Sequence, residues 1–142
     1  MKKILLALAI GSISLLTLNS CTKEYITNNY LPGISYTTTV QPNQWEEDGE
    51  GSGVYAVDLE FPELDAQYYN FGTTQVALEF ARSNGSFDVI PATIRGTHYS
   101  FGYQVGWVTV FAEIRTTNPA DIDIDRPIKV KITLTDADNG GN

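Results

Sequence analysis

From Ile34 onward, apolar or β-branched residues alternate with polar ones, which is the spacing expected of half-buried β-strands. In Val54–Phe61, for example, Tyr55 and Val57 fall on one side, and acidic residues fall on the other. Turn-forming residues separate the stretches that carry a strand pattern. The stretches are Ile34–Val40, Val54–Phe61, Thr74–Ala81, Phe87–Ile90, Ala92–Phe101, Val105–Ile114 and Pro127–Thr135. About seven short strands with turns between them predict an all-β, antiparallel β-sandwich, immunoglobulin-like or related, and not βαβ units.

One strand pattern is apolar on both of its faces, in Val105–Ile114. Trp107 and Phe111 fall on the face opposite to Val108 and Val110. A strand with two apolar faces is typical of the centre of a sheet. This stretch is therefore predicted to be a central strand.

Two interruptions of the strand pattern have specific interpretations. Asn84-Gly85 lies between two strand stretches and predicts a hairpin, because both residue types tolerate positive φ. Pro62 and Gly72 stand at helix-start and helix-stop positions, so we expect a short helical turn near residues 63–71. The segments 43–53 and 116–125 are rich in polar and turn-forming residues and are predicted to be loops.

The first 21 residues have the pattern of an export signal. Lys2 and Lys3 precede an unbroken apolar run, Ile4–Ile10, which is too short to span a membrane. The run leads to Leu18-Asn19-Ser20-Cys21, which resembles the lipobox of bacterial lipoproteins. The resemblance implies cleavage before Cys21 and attachment of a diacylglyceryl group to its thiol, with a further acyl chain such as palmitate on the new amino terminus.

Composition supports this interpretation of Cys21. It is the single cysteine of the chain, so no internal disulfide can form. Without residues 1–20, seven basic residues remain against seventeen acidic ones, which gives a net charge of −10. This net negative charge disfavours binding to nucleic acid and to anionic membrane surfaces. We therefore expect membrane attachment to come from the lipid. An ordinary secretory signal with cleavage near Ser20 is the alternative.

These signals divide the chain into four segments. Residues 1–20 are predicted to be the signal peptide, and 21–30 the lipidated cysteine with a polar tether. Residues 31–135 are predicted to form the single β-sandwich domain, and 136–142 a polar tail.

The order of several short segments is similar to that of small, uncharacterised lipoproteins of Bacteroidota-type bacteria, which carry a lipobox and one β-sandwich domain. The segments are Lys23–Thr27, Thr39–Trp45, Tyr55, Tyr69–Gly72 and Tyr103–Val110. The resemblance implies a β-domain of the cell envelope. It supplies no catalytic residues.

An acidic loop is the candidate metal site. Asp121, Asp123 and Asp125 alternate, so in an extended chain their carboxylates lie on one side and are candidate ligands for Ca²⁺. The EF-hand pattern is excluded, because Arg126 and Ile132 stand where it requires Gly and Glu. The alternative is a solvated acidic loop, and no cofactor is predicted.

Aromatic residues are the candidate ligand-binding groups: Trp45, Tyr99, Tyr103 and Trp107. Aromatic rings on a β-sandwich stack on sugars or anchor protein partners. A hydrolytic site would need His98 or the acidic run Glu46–Glu50 to converge with other groups, and no nucleophile-elbow motif is present.

Together these observations predict a lipid-anchored module of the cell envelope, at the outer membrane, whose role is non-enzymatic binding, adhesion or assembly. Its predicted partners are the membrane, through the lipid, and a glycan or an envelope protein. The face of the membrane that it occupies stays open. The alternatives are a carbohydrate-binding accessory lipoprotein and a small envelope hydrolase.

Overall fold

The computed structural model describes residues 33–136. The predicted signal peptide, Cys21 with its tether, and the tail after Asp136 lie outside the described residues. Within 33–136 no helix combines the length and hydrophobicity needed to cross a bilayer.

The described residues form two antiparallel sheets, as predicted. Nine strands are present among them: β1 (Ile34–Val40), β2 (Glu46–Glu47), β3 (Val54–Glu60), β4 (Gly72–Phe80), β5 (Asp88–Ile90), β6 (Ala92–Ile94), β7 (Thr97–Gln104), β8 (Trp107–Ile114) and β9 (Ile128–Asp136). One sheet has the order β1-β9-β4-β5 and the other the order β2-β3-β8-β7-β6. Strand β8 is the third of five, which confirms its predicted central position.

Alternation places one face of each sheet in a shared core. The strand residues predicted to point inward are largely buried, including those of β3, β4, β8 and β9. The largest completely enclosed side chains are Tyr99, Phe61, Leu64, Leu78, Ile128, Ile132 and Leu134. Since the two sheets contribute apolar faces to one cluster, the arrangement is the predicted sandwich.

The short helix lies in the segment that leads from the five-stranded sheet to the four-stranded sheet. Helix α1 (Ala66–Phe71) begins later than the proline suggested, because Asp65 caps it and accepts hydrogen bonds from the backbone N–H groups of Gln67 and Tyr68, both at 2.9 Å. It connects the end of β3 to the start of β4. Short 3₁₀ turns occupy Pro42–Gln44, at the start of the first predicted loop, and Pro119–Asp121, within the second.

Two hairpins differ in how well the sequence predicted them. Asn84 and Gly85 have φ of 49° and 84° in the β4–β5 connection, as the Asn-Gly pair indicated. The stretch Ala92–Phe101, predicted to be one strand, is instead a hairpin of β6 and β7 that turns at Arg95 and Gly96, with φ of 49° and 79°. Arginine rarely adopts positive φ, so the turn gave a weak signal.

Candidate functional site

The outward side of the five-stranded sheet carries the candidate site. We call it the outer sheet face, formed by the side chains of β3, β7 and β8 that alternate with core residues: Ala56, Asp58, Glu60, Ser100, Gln104, Trp107, Thr109 and Phe111, with Gly102 among them. Strand pairing fixes their order across the sheet. Trp107 lies between Glu60 and Gln104, and Phe111 lies between Ala56 and Ser100.

Short side chains flank the two rings of this face. A Cβ atom on Gly102 would lie 3.8 Å from Phe111 Cε2, so a larger residue at position 102 would cover that ring. Ala56 and Ser100 beside Phe111 are also small. The indole of Trp107 remains 41% exposed. The two rings therefore offer flat apolar surface to a ligand.

A polar depression adjoins the rings at the β2 edge of the sheet. Its volume is about 340 Å³, and its lining residues are Gln44, Glu46, Ala56, Val57 and Asp58. The Thr109 hydroxyl donates a hydrogen bond of 2.6 Å to Asp58 Oδ1, which orients that carboxylate. Carboxylates, an amide and aromatic rings on one surface are the groups that bind hydroxyl-rich or polar ligands.

The structure divides the four candidate aromatic residues between the core and two surfaces. Trp45 is 8% exposed and Tyr99 completely buried, so neither ring can receive a ligand. Trp107 lies on the outer sheet face. Tyr103 is on the inward side of β7, but it lies near the end of that strand and therefore at the end of the sandwich. There its ring contacts that of Tyr69, with the ring centroids 5.9 Å apart. The four residues do not form one patch.

The candidate calcium ligands bind three different partners. Asp121 accepts a hydrogen bond from the Asn118 amide at 2.9 Å, and Asp125 faces the Arg126 guanidinium at 3.8 Å. Asp123 is buried. Its carboxylate lies 3.5 Å from Arg82.

The loop therefore does not fulfil the predicted metal site. Between residues 33 and 136, no three histidine, cysteine, aspartate or glutamate side chains gather in a way that could hold a metal ion. The physical reason is that residues 119–126 turn, through a 3₁₀ segment, instead of running extended, so alternate carboxylates do not share one side.

His98 belongs to a polar row at the far end of the outer sheet face. Its Nδ1 lies 3.1 Å from the Thr93 hydroxyl, and strand pairing places it beside Glu113. The Arg115 guanidinium donates a hydrogen bond to Glu113 and lowers the pKa of that carboxyl below its ordinary value. Strands β3 and β8 separate His98 from Glu46, so the two groups named for a hydrolytic site are not adjacent.

The sequence pattern did not single out Gln44 or Asp58 as site residues, and it indicated Glu46 only as part of an acidic run for a hydrolytic site. The alternation of β3 indicated that Asp58 points outward, but it gave no neighbour for that strand. Gln44 and Glu46 lie in a segment predicted to be loop, whereas Glu46 and Glu47 pair with β3 as a two-residue edge strand.

Comparison of the chain with protein-family models, with curated proteins and with solved structures found no match. The site must therefore be interpreted from its own geometry.

Proposed function

We propose that this chain is a lipid-anchored module of the bacterial cell envelope, at the outer membrane, that works by binding and not by catalysis. The lipobox-like segment ending at Cys21 supports the anchor. The outer sheet face carries the binding role, since it combines two accessible rings with a carboxylate-lined depression.

The anchor is tested on protein isolated from its native membranes. Mass spectrometry should show a mature chain that begins at Cys21 with a diacylglyceryl group on the thiol. A Cys21→Ser variant should be released from the membrane fraction. An unmodified thiol in the membrane-bound protein would contradict the proposed anchor.

Glycan binding is the candidate ligand chemistry that the outer sheet face favours. Trp107 and Phe111 provide stacking surface, and Asp58, Glu46 and Gln44 provide hydrogen-bonding groups beside it. This combination matches sugars, whose rings have one apolar face and a rim of hydroxyl groups. A protein partner bound through Trp107 is the competing outcome.

The test is a glycan-array screen of the mature chain carrying Cys21→Ser, which removes the lipid. If a glycan binds, Trp107→Ala should weaken binding by about 30-fold, the effect of losing a central aromatic contact of about 2 kcal/mol. Tyr69→Ala is the matched control, because that ring is comparably exposed but lies off the outer sheet face. Equal losses in both variants would contradict the assigned face. Capture of an envelope protein without glycan binding would support the protein-partner alternative.

A further inference from the structure

The exposed large apolar side chains of the described chain are concentrated at one end of the sandwich. Seven such side chains occur between residues 33 and 136, and six lie at this end: Tyr36, Tyr69, Phe71, Tyr103, Val105 and Trp107. The seventh, Val89, lies elsewhere, in β5. We call this the aromatic end, formed by residues 33–36, 60–72, 103–107 and 134–136.

The aromatic end is firmly built. The backbone N–H of Phe61 donates to the carbonyl of Gly106, and the N–H of Gly106 donates to the carbonyl of Leu64, both at 2.8 Å. These bonds hold the β7–β8 turn, which presents Val105, against the segment leading into α1. Tyr69 of α1 then contacts Tyr103 edge to face. The apolar groups therefore project from a fixed surface.

The described chain enters the sandwich at this same end. Ile34 begins β1 and pairs with Leu134, and the end of β9 pairs with the start of β4 at Gly72. Cys21 precedes Gly33 by 12 residues. Twelve residues reach at most about 40 Å, so the anchor permits contact between this end and the bilayer but does not by itself require it.

The charge of the aromatic end distinguishes among membrane surfaces. The four segments that form it contain Glu60, Glu63, Asp65 and Asp136, and they contain no lysine or arginine. Electrostatic attraction to anionic lipids is therefore absent at this end. Tyrosine and tryptophan favour the interfacial region of a bilayer because their rings are apolar and their polar atoms reach water.

From these observations, which rest on the proposed lipidation of Cys21, we infer that the aromatic end docks directly on a zwitterionic lipid surface. Tyr69, Tyr103, Val105 and Trp107 enter the interfacial layer. The lipid supplies the affinity, and the aromatic end fixes the orientation of the sandwich.

The two tryptophans of the chain allow a direct test. Trp107 lies at the aromatic end, whereas Trp45 is buried after the far end of β1. The lipidated protein is placed in phosphatidylcholine vesicles with brominated acyl chains, which quench nearby indoles. The Trp45→Phe variant, which keeps Trp107, should lose most of its emission on vesicles. The Trp107→Phe variant should keep its emission.

A second pair of variants retains both tryptophans and leaves the core unchanged. Val105→Glu adds a charge at the aromatic end and should abolish quenching, although the lipid still holds the protein on floating vesicles. Val89→Glu is the matched control, because Val105 and Val89 are 51% and 53% exposed. This variant should be quenched like the wild type. Adding phosphatidylglycerol should reduce quenching at low salt, because the end is acidic.

Flotation separates the inference from the anchor on which it rests. Protein that does not float with vesicles and carries no lipid would contradict the anchor. Protein that floats but shows equal emission from its two tryptophans would overturn the docking inference. Two results together would overturn it in favour of a dimer interface. The unlipidated Cys21→Ser chain would self-associate and bury Trp107, and the lipidated protein would show no quenching on vesicles.

Discussion

At the scale of single residues, a polar group inside the core needs a partner, and Asp123 depends on Arg82. The carboxylate is 3% exposed, one oxygen lies 3.5 Å from the Arg82 guanidinium, and the other has no hydrogen-bond partner among the described residues. Arg115 and Glu113 make a closer ion pair on the surface, at 2.7 Å. Burial, and not distance, decides which pair matters for stability.

Arg82→Ala should therefore lower the free energy of unfolding by about 2–3 kcal/mol, because it leaves the Asp123 carboxylate buried without a counter-charge. Arg115→Ala is the matched control and should leave the urea midpoint unchanged, because water can solvate the exposed Glu113 carboxylate in place of Arg115. Urea unfolding of both variants checks this. Similar midpoints for the two would show that Asp123 does not depend on Arg82.

Tyr99 makes a pH-dependent contribution to stability. Burial, and then the nearby Asp123 carboxylate, raise the pKa of the Tyr99 hydroxyl above its ordinary value. The unfolded chain ionises at about pH 10, whereas the folded chain keeps the proton. Stability should therefore fall as pH rises above about 10, with a contribution of up to about 1.4 kcal/mol per pH unit.

Tyr99→Phe should remove this contribution, so the free energy of unfolding should decline less steeply as the pH rises above about 10. At neutral pH it should cost about 1 kcal/mol at most, the worth of one neutral contact between the hydroxyl and the Thr97 side chain. Tyr69→Phe is the control for the removal of a tyrosine hydroxyl as such, because that side chain is exposed. Denaturation measured across this pH range is the check, and an unchanged slope in Tyr99→Phe would contradict the assignment.

At the scale of elements, the sequence predicted strands well where alternation extends over a long segment and poorly where a strand is short. Ile34–Val40 is β1 as predicted, and β3, β4, β8 and β9 differ from their predicted bounds by a few residues at most. Strands of two or three residues, such as β2 and β6, are too short to show a period. Their pairing depends on partners distant in sequence, which a local pattern cannot supply.

The turn between β6 and β7 shows how a segment distant in sequence restricts which residue a turn can hold. Gly96 has a φ of 79°, and a Cβ placed on it would lie 2.7 Å from the Cβ of Thr116, a residue twenty positions later. The N–H of Arg115 donates a hydrogen bond to the Gly96 carbonyl at 2.8 Å. Glycine is required here by the close approach of another segment as well as by its backbone conformation.

Gly96→Ala should consequently destabilise the protein by about 2–4 kcal/mol, from positive φ together with overpacking. Gly85→Ala is the control, because its φ of 84° is similar but no atom lies within 4 Å of the added methyl group. It should cost about 1–2 kcal/mol, from the backbone term alone. Thermal and urea unfolding measure both, and equal losses would show that contact with Thr116 is not limiting.

At the scale of the whole molecule, the candidate site could be predicted only in part. Alternation along β8 placed Trp107 and Phe111 on one side, opposite to the core. No property of the sequence showed that β3 would place Asp58 next to that side, or that Trp45 and Tyr99 would be enclosed. Exposure of an aromatic ring depends on how two sheets pack, which is a property of the assembled sandwich.

The two proposed surfaces have a fixed relation within the sandwich. The strands run between the aromatic end and the opposite end, so the outer sheet face lies along their length. If the aromatic end rests on lipid, the strands stand away from the membrane, and the outer sheet face points sideways into the surrounding space. The depression at Glu46 and Asp58 lies towards the end remote from the lipid.

This arrangement predicts that docking weakens ligand binding, because Trp107 belongs both to the outer sheet face and to the aromatic end. A ligand found for the outer sheet face should bind the lipidated protein on vesicles about 30-fold more weakly than the unlipidated Cys21→Ser chain in solution, which is the loss expected when the Trp107 ring is withdrawn from the ligand. Equilibrium binding to both preparations measures this, with Trp107→Ala in solution as the reference for the loss of that ring. An unchanged Kd on vesicles would contradict the shared role of Trp107. Complete loss of binding on vesicles would mean that the depression at Glu46 and Asp58 also meets the bilayer.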